Sequence, residues 1–397
     1  MNSSSIGRTD NAYKAFYEAI RNANLVLKYV PPIEMDETVK KALLGEARFL
    51  RALSYYLLVR SWGGVPLRTE PVESVSQTSI KRATPEEVYT LVVEDLKYAE
   101  TNLPNAQQLV GRPTKWSAKT MLADVFLYTE KWQEALTKAN EIITSGVYSL
   151  VPVTKASDFE LIFGPTANTS SEDAFSLKYS RSNGSSSIPQ QYALANSAFS
   201  SDGWGSFYGL PTFPLLRDWD HNDLRWQFNI YTSYPKKDGT IVQNPSDRPL
   251  LFGKFKDPGF APGHGNDFPI YRYPEVLLIF AEADNQINNG PTQLALERLN
   301  MVHRRAYGYP PAAVSPVDFT LQTAPTAQAF RDLVLRERAY EFLCEHKRWF
   351  DLIRTKTVKQ VTLEAKGVVI SDNFLLFPIP QQEMDNNPSI GQQNPGY

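Results

Sequence analysis

The residues best suited to contacting a small ligand are aromatic, and they concentrate in one stretch of the chain, 199–234. Ten of these 36 residues are aromatic, more than twice the 12% average of the whole chain. They are Phe199, Trp204, Phe207, Tyr208, Phe213, Trp219, Trp226, Phe228, Tyr231 and Tyr234. Flat rings suit the C–H faces of sugars, and neighbouring amides or carboxylates suit sugar hydroxyls. The same rings could instead fill the core of a region that is short of aliphatic side chains.

Three of the rings belong to the segment DGWGSFYG (202–209), in which four of the eight residues are glycine or serine. Backbone freedom at such residues costs entropy, so large aromatic side chains exposed there need a compensating use. The segment therefore predicts an aromatic platform with polar partners beside it. For Trp219, Trp226 and Phe228 we favour a core role instead. The predicted ligand-binding residues are Trp204, Tyr208, Phe207, Asp202 and Asn196.

An acidic cluster follows, formed by Asp218, Asp220, Asn222 and Asp223. An EF-hand loop would need Gly at its sixth position, where Asp223 stands, and Glu at its twelfth, where Asn229 stands. A glycosidase needs two carboxylates at a defined separation, which sequence spacing cannot supply. Capping and turn formation are the roles that these residue types favour. We therefore expect no metal site here.

Motifs for catalysis and cofactor binding are missing from the sequence. It contains no G-x-x-x-x-G-K-[ST] phosphate loop and no G-x-S-x-G nucleophile elbow. The four histidines, at 221, 264, 303 and 346, form no HExxH or Cys/His cluster. The sequence therefore predicts a protein that is not an enzyme and has no cofactor.

Composition excludes several further classes. The 397 residues carry a net charge of −2 and show no basic stripe, so nucleic-acid binding is not expected. No apolar run approaches the ~20 residues of a membrane span. The N-terminal MNSSSIGRTD lacks the apolar region of a signal peptide. The single cysteine, Cys344, cannot form an internal disulfide.

Helical periodicity surrounds the aromatic stretch on both sides. Residues 150–270 are rich in Gly, Pro, Ser and Asn and predict an irregular region with short strands, such as 174–179 and 226–232. The ranges predicted to form paired antiparallel helices are 11–62, 84–145, 274–306 and 326–354. The predicted division is an N-terminal helical scaffold (1–149), a loop-rich ligand-binding region (150–270), and a C-terminal helical scaffold with tail (271–397).

The segment GEARFLRALSYYLLVRSWGGVP (45–66) reads as a core helix that ends at Gly63-Gly64. Two apolar rows along it indicate packing between other helices. Arg48, Arg51 and Arg60 would then be buried, and a buried arginine must be paired. We expect carboxylates of neighbouring helices as their partners, with ligand contact as the alternative.

Near the C-terminus, one apolar stripe at spacings of 4 and 3 runs from Leu335 through His346 to Ile353 and predicts one continuous helix. His346 lies on this stripe, so a core histidine is expected, with a catalytic role as the alternative. Opposite charges three residues apart would lie on the exposed face. These pairs are Arg338–Glu341, Glu345–Arg348 and Asp351–Arg354.

A further pattern indicates how the helices pair. Leu122, Ala123, Phe126, Trp132 and Ala135 fall at the spacing of the tetratricopeptide repeat, in which a small Ala lets two antiparallel helices approach closely. The predicted fold is therefore mostly α, a tetratricopeptide-like scaffold of helix pairs with a loop-rich region that contains short strands.

Five segments, in order, resemble the characteristic segments of the SusD/RagB family. The resemblance spans residues 11–397, and the tail, which reads PIPQxEMxxNPxxxQNPGY, is highly specific. The five are GEARFLRALSYYLLVRSWGGVPL, GRPTKWSAKTMLADVFLYTEKWQEAL, PIYRYPEVLLIFAEA, RERAYEFLCEHKRWFDLIR and FPIPQQEMDNNPSIGQQNPGY.

The resemblance implies an outer-membrane lipoprotein on the cell surface of a Gram-negative bacterium. Members have a tetratricopeptide-like scaffold, bind nutrients that are usually glycans and sometimes peptides, and cap a TonB-dependent transporter of the SusC type. Members normally begin with a lipoprotein signal and an N-terminal cysteine, which this chain lacks. We therefore expect either a truncated chain or a start that lies upstream, with the lipid anchor on a segment absent from this chain.

The leading hypothesis is a surface protein that captures a glycan or oligosaccharide and delivers it to a SusC-type transporter. One rival is a tetratricopeptide-type scaffold that binds only proteins through its helical surface. The other rival is a glycoside hydrolase. Polysaccharide-binding measurements would separate the first two, and product analysis after long incubation would reveal the third.

Overall fold

The structure is a computed structural model that describes residues 7–74, 77–182, 184–200, 202–258 and 263–397. The described part is mostly helical, with fifteen α-helices and seven short β-strands. The helices are α1 (Gly7–Tyr29), α2 (Glu37–Trp62), α3 (Pro85–Asn102), α4 (Lys115–Tyr128), α5 (Trp132–Ser145), α6 (Glu160–Phe163), α7 (Ile188–Tyr192), α8 (Pro214–Arg217), α9 (Leu224–Asn229), α10 (Tyr273–Asn288), α11 (Gln293–Ala306), α12 (Ala327–Glu341), α13 (Arg348–Arg354), α14 (Val358–Lys366) and α15 (Gln381–Asn386). The predicted fold class is confirmed.

The strands are short and pair in three small antiparallel sheets. The orders are β1–β7, β2–β6–β3 and β4–β5. Tyr208 is opposite Leu251 in the β2–β6 pair. The strands are β1 (Asp173–Leu177), β2 (Tyr208–Gly209), β3 (Ile230–Tyr231), β4 (Ser233–Pro235), β5 (Ile241–Gln243), β6 (Leu250–Phe252) and β7 (Phe268–Arg272).

The described residues form two compact units. The first draws on 1–108, 112–125 and 369–397, and the second on 109–111 and 126–368. The division at 149/150 and 270/271 stays a prediction. None of the helices among the described residues combines the length and the apolar character that a membrane span needs.

In the first unit, α2 is the central helix and packs against α1 and α3. The Asp36 side chain caps its N-terminus, and Gly63, with a left-handed φ of +73°, follows its last residue. Phe49 and Tyr56, on one of the two predicted apolar rows, are fully buried, and so is Tyr55, which lies on neither row. Leu50, on the other row, is 43% exposed.

The arginines of α2 pair as expected. Arg51 donates to both carboxylate oxygens of Asp95 on α3, at 2.7 and 2.8 Å, and Asp95 is fully buried. Arg48 shares Asp95 at 3.3 Å, and Arg60 lies 3.9 Å from Asp124 of α4. The structure thus assigns these side chains to helix packing in the first unit.

In the second unit, α10 is the central helix and packs against α5, α11 and α12. Every residue from Tyr273 to Asn285 is buried, which is typical of a helix that neighbours cover on all sides. Loop-rich residues form a separate aromatic core around Phe159, Phe163 and Phe228.

Two local predictions were wrong. The continuous helix predicted from the stripe between Leu335 and Ile353 is broken, because α12 ends at Glu341 and α13 begins only at Arg348. Between them Cys344 and His346 adopt left-handed φ values of +67° and +58°, and His346 is exposed. The strand predicted over 226–232 begins as helix α9, which the Asp223 side chain caps, and only β3 follows as strand.

The predicted exposed pairs near 338–354 are mostly buried and have other partners. Arg338 binds Asp351 and Glu275, whereas Glu341 and Glu345 bind cations from distant segments. Only the Asp351–Arg354 pair forms as predicted, at 2.8 Å, and it too is buried. Glu341 and Glu345 belong to a larger set of buried charged side chains linked by ion pairs, which we call the buried ion network. Its members are Glu172, Asp223, Arg225, Lys254, Arg272, Arg305, Glu337, Glu341 and Glu345.

Candidate functional site

The three aromatic side chains predicted to bind a ligand are all exposed in the second unit. Trp204 is 51% exposed, Phe207 41% and Tyr208 43%. Large aromatic rings are mostly buried in folded proteins. Three such rings within five residues therefore form an exposed aromatic surface, which we call the aromatic platform.

The backbone under the platform is fixed by hydrogen bonds to α7 and the residue that follows it. The amide of Trp204 donates to the carbonyl of Gln190 at 2.7 Å, and that of Gly205 to Ala193 at 2.7 Å. The amides of Ser206 and Phe207 both donate to the carbonyl of Gln191, at 2.9 and 3.3 Å. Although glycine-rich, the segment is thus held in one conformation with its large side chains outward.

Glycine is required at two positions of the platform segment. A Cβ on Gly203 would lie 2.3 Å from the carbonyl oxygen of Ala193. Gly205 has a left-handed φ of +56°, and a Cβ there would lie 2.4 Å from Leu194. The close approach to 193–194 that fixes the segment therefore depends on both glycines.

Phe207 and Tyr208 each contact other residues of the second unit. The ring of Phe207 lies 5.4 Å from that of buried Tyr192, and Tyr208 begins strand β2. Each keeps roughly two fifths of its surface exposed. Both rings can therefore offer a face to a ligand without leaving their packed position.

The two predicted polar partners are both exposed. The Asp202 carbonyl accepts a hydrogen bond from Ser200, and the Asp202 side chain is exposed. Asn196 has a left-handed φ of +62°, and its carbonyl accepts from the amide of Lys237. Both side chains are available for hydroxyl groups of a ligand.

Sequence reasoning missed Arg248. Its Nη1 donates to the carbonyls of Gly205 at 3.2 Å and Trp204 at 3.4 Å. The only hint in the sequence was an arginine in the turn-rich run NPSDRP (244–249), because the contact joins residues more than forty positions apart.

The other aromatic residues behave as the core prediction stated. Trp219 is buried and stacks on Tyr340 at 4.3 Å, and Trp226 packs against its edge. Phe228 belongs to the aromatic core of the loop-rich region. These rings therefore belong to the packed interior of the second unit.

The acidic cluster forms caps and turns. Asp223 caps α9 through the amide of Arg225 and accepts from the indole of Trp219. The Asp220 side chain accepts from the amide of Asn222, and Asp218 pairs with Arg217. Within the described ranges, no three His, Cys, Asp or Glu residues are placed to hold a metal ion.

Ser200, His264 and Asp257 have the residue types of a nucleophilic triad but not its geometry. Ser200 Oγ lies 3.1 Å from His264 Nε2, but His264 Nδ1 lies 3.7 Å from Asp257, too far for a hydrogen bond. Ser200 is 2% exposed, and its hydroxyl donates to the Asp202 carbonyl at 2.9 Å. A hydroxyl has one proton, so Ser200 accepts from His264. The group therefore supports the backbone beside the platform.

Comparison with known proteins gives the family. Residues 261–397 match the family model described as the SusD family, and 2–127 match one described as starch-binding associating with outer membrane. A SusD-like protein P2 from Formosa agariphila is 29% identical, over 100% of this chain and 83% of that protein. The chain is a member of the SusD/RagB family.

Solved structures of SusD relatives share the fold. A SusD superfamily protein from Parabacteroides distasonis superposes with a TM-score of 0.84 at 24% identity, covering 100% of this chain and 87% of the other. A laminarin-binding SusD-like protein gives a TM-score of 0.79 at 25% identity, covering 98% and 86%. The tetratricopeptide-like helical scaffold is thus common to this chain and its relatives.

Proposed function

We propose that this SusD/RagB family member binds a glycan at the cell surface through the aromatic platform. The observation that carries the proposal is the exposure of Trp204, Phe207 and Tyr208 on a backbone that four hydrogen bonds fix. Support comes from the family and from a structural relative described as laminarin-binding. Asp202 and Asn196 supply polar partners for the hydroxyls.

The same proposal includes the next step of uptake. The bound glycan passes to a SusC-type TonB-dependent transporter in the outer membrane, without chemical change. The family description of association with the outer membrane supports this location. In this proposal a lipid anchor holds the protein there. Co-purification of the transporter with the lipidated protein from outer membranes tests this part, and recovery of that protein in the cytoplasmic fraction contradicts it.

The binding test uses Trp204→Ala with isothermal titration calorimetry against a panel of polysaccharides. Stacking of one ring contributes about 1–3 kcal/mol by analogy with other planar ligands, so we expect affinity to fall roughly tenfold or more. The melting temperature should hardly change, because half of the ring is already exposed.

Trp349→Ala is the matched control, since Trp349 is 37% exposed on α13 and should leave affinity unchanged. A steep fall in melting temperature with intact affinity would instead make Trp204 a core residue. Sugar release after long incubation, lost in Asp218→Asn, Asp220→Asn or Asp223→Asn, would establish the hydrolase rival. Binding of proteins alone would establish the scaffold rival.

A further inference from the structure

Arg248 lies at the edge of the aromatic platform and is built into it. Its Nη1 contacts the carbonyls of Trp204 and Gly205, while the side chain remains 36% exposed. A Cβ on Gly205 would come within 3.2 Å of this nitrogen. The glycine therefore lets the guanidinium approach the backbone of 204–205.

Most of the hydrogen-bonding capacity of Arg248 is left for a ligand. A guanidinium has five N–H donors in a planar fork, and the two carbonyls engage only Nη1. Among the described residues, the only carboxylate within 4.0 Å is that of Asp247, 3.5 Å from Nε and 71% exposed. Such surface pairs contribute little, and among the described residues the guanidinium has no buried carboxylate within 4.0 Å.

Two more cations of the second unit lie beside 196–197. Lys236 pairs with Ser197 through a β-bridge, and the amide of Lys237 donates to the carbonyl of Asn196. Asp202 and Asp238 are exposed carboxylates of the same unit. Among the cations of the described residues, Arg248 is the one that hydrogen-bonds to the backbone of Trp204.

We propose that Arg248 binds the ligand directly and that the sugar stacked on Trp204 carries an anionic substituent, a carboxylate or a sulfate. The inference rests on the proposed glycan binding at the platform. A planar guanidinium forms two parallel hydrogen bonds with either oxyanion group. The aromatic ring holds the sugar face, and Arg248 selects the charged substituent.

The experiment compares four oligosaccharides by calorimetry: a uronic-acid oligomer, a sulfated oligomer, and the neutral counterpart of each, made by carboxyl reduction or desulfation. The wild-type protein should bind at least one charged oligomer about tenfold or more tightly than its neutral counterpart. The two charged arms show which oxyanion is preferred. Raising the salt concentration should reduce the difference, because the site is partly exposed.

Arg248→Gln should remove the preference while leaving neutral-oligomer affinity within about threefold, and Arg248→Lys should restore only part of it, since a point charge lacks the planar fork. Arg336→Gln, at an exposed arginine of α12, is the charge-matched control and should change nothing.

Three outcomes overturn the inference. One is a wild type that binds neutral and charged oligomers equally. Another is an Arg248→Gln variant that loses affinity for both kinds alike with a lower melting temperature, which would make Arg248 only a support for the loop. The third is an Arg248→Lys variant that keeps the full wild-type preference for the charged oligomer. If Trp204→Ala still weakens binding roughly tenfold or more in these cases, the proposed glycan site stands and only the inferred charge selectivity is overturned.

Discussion

Arg51 is the residue through which α2 and α3 hold a charge pair inside the first unit. Its guanidinium donates hydrogen bonds to both carboxylate oxygens of Asp95, and a third hydrogen bond goes to the Asn24 side chain of α1 at 2.8 Å. Removing one partner of a buried pair leaves the other charge desolvated and unpaired. The cost of breaking such a pair therefore exceeds the value of the pair itself.

Asp95→Asn should consequently lower the free energy of unfolding by roughly 3–5 kcal/mol. The exposed pair of Glu37 and Lys40 on α2 provides the control, and Glu37→Gln should cost no more than about 1 kcal/mol. Urea unfolding of both variants measures the two effects. If both variants lose the same free energy of unfolding, burial of Asp95 does not determine the cost of the substitution.

The aromatic platform could be predicted only in part at this scale. The sequence identified the rings of Trp204, Phe207 and Tyr208, because large rings among glycines are unusual. It did not reveal the acceptors at Gln190, Gln191 and Ala193, because carbonyl positions depend on the fold. Arg248 was missed for the same reason.

At the scale of elements, the residues that follow α4 show how a helix is ended. The backbone amide of Lys131 donates to the carbonyl of Phe126, and the amide of Glu130 donates to the carbonyl of Leu127. This pair of hydrogen bonds is the pattern of a Schellman cap. Glu130 itself has a left-handed φ of +58°. That conformation costs a non-glycine residue roughly 1–2 kcal/mol.

Glu130→Gly should therefore raise the free energy of unfolding by up to about 1 kcal/mol, even after the extra entropy of glycine in the unfolded chain. Glu134→Gly, at an exposed position inside α5, should lower it by about 1 kcal/mol. Chemical denaturation of the two variants measures both changes in the free energy of unfolding, which should have opposite signs. A loss of stability in both would refute the cap argument.

Helices were predictable wherever apolar spacing determined them, as in α2 and α10. The break between α12 and α13 was not, because Glu345 leaves the helical path to reach Arg272 and Lys254 at 2.7 and 2.5 Å. These partners lie 73 and 91 residues away along the chain. Opposite charges three residues apart looked like local pairs, and only tertiary packing shows that they are not.

At the scale of the whole molecule, buried carboxylates make stability depend on pH. Burial alone would raise the pKa of Glu337, but the charges of Arg225 and His303 together lower it to about 2. Burial likewise opposes ionisation of Asp351, whereas Arg338 and Arg354 lower its pKa to about 2. Both carboxyls bind protons more tightly in the unfolded chain, where their pKa values are ordinary, about 4.

The contribution of these two carboxylates to the free energy of unfolding should therefore be fully present above about pH 4.5 and should be lost as the pH falls toward 2. Urea unfolding at a series of pH values between 7 and 2.5 measures this. Glu337→Gln is the control, because it should be less stable at neutral pH yet lose less stability over the acid range. An unchanged free energy of unfolding from pH 5 to 2.5 would contradict the role given to these ion pairs.

The hydrogen bonds between 204–207 and 190–193 also have a kinetic consequence. A binding surface whose backbone is already in place does not have to rearrange when a ligand arrives. Association observed by stopped-flow tryptophan fluorescence should then be a single phase whose rate rises linearly with ligand concentration, without saturating. Differences in affinity among ligands should appear mainly in how long each one stays bound.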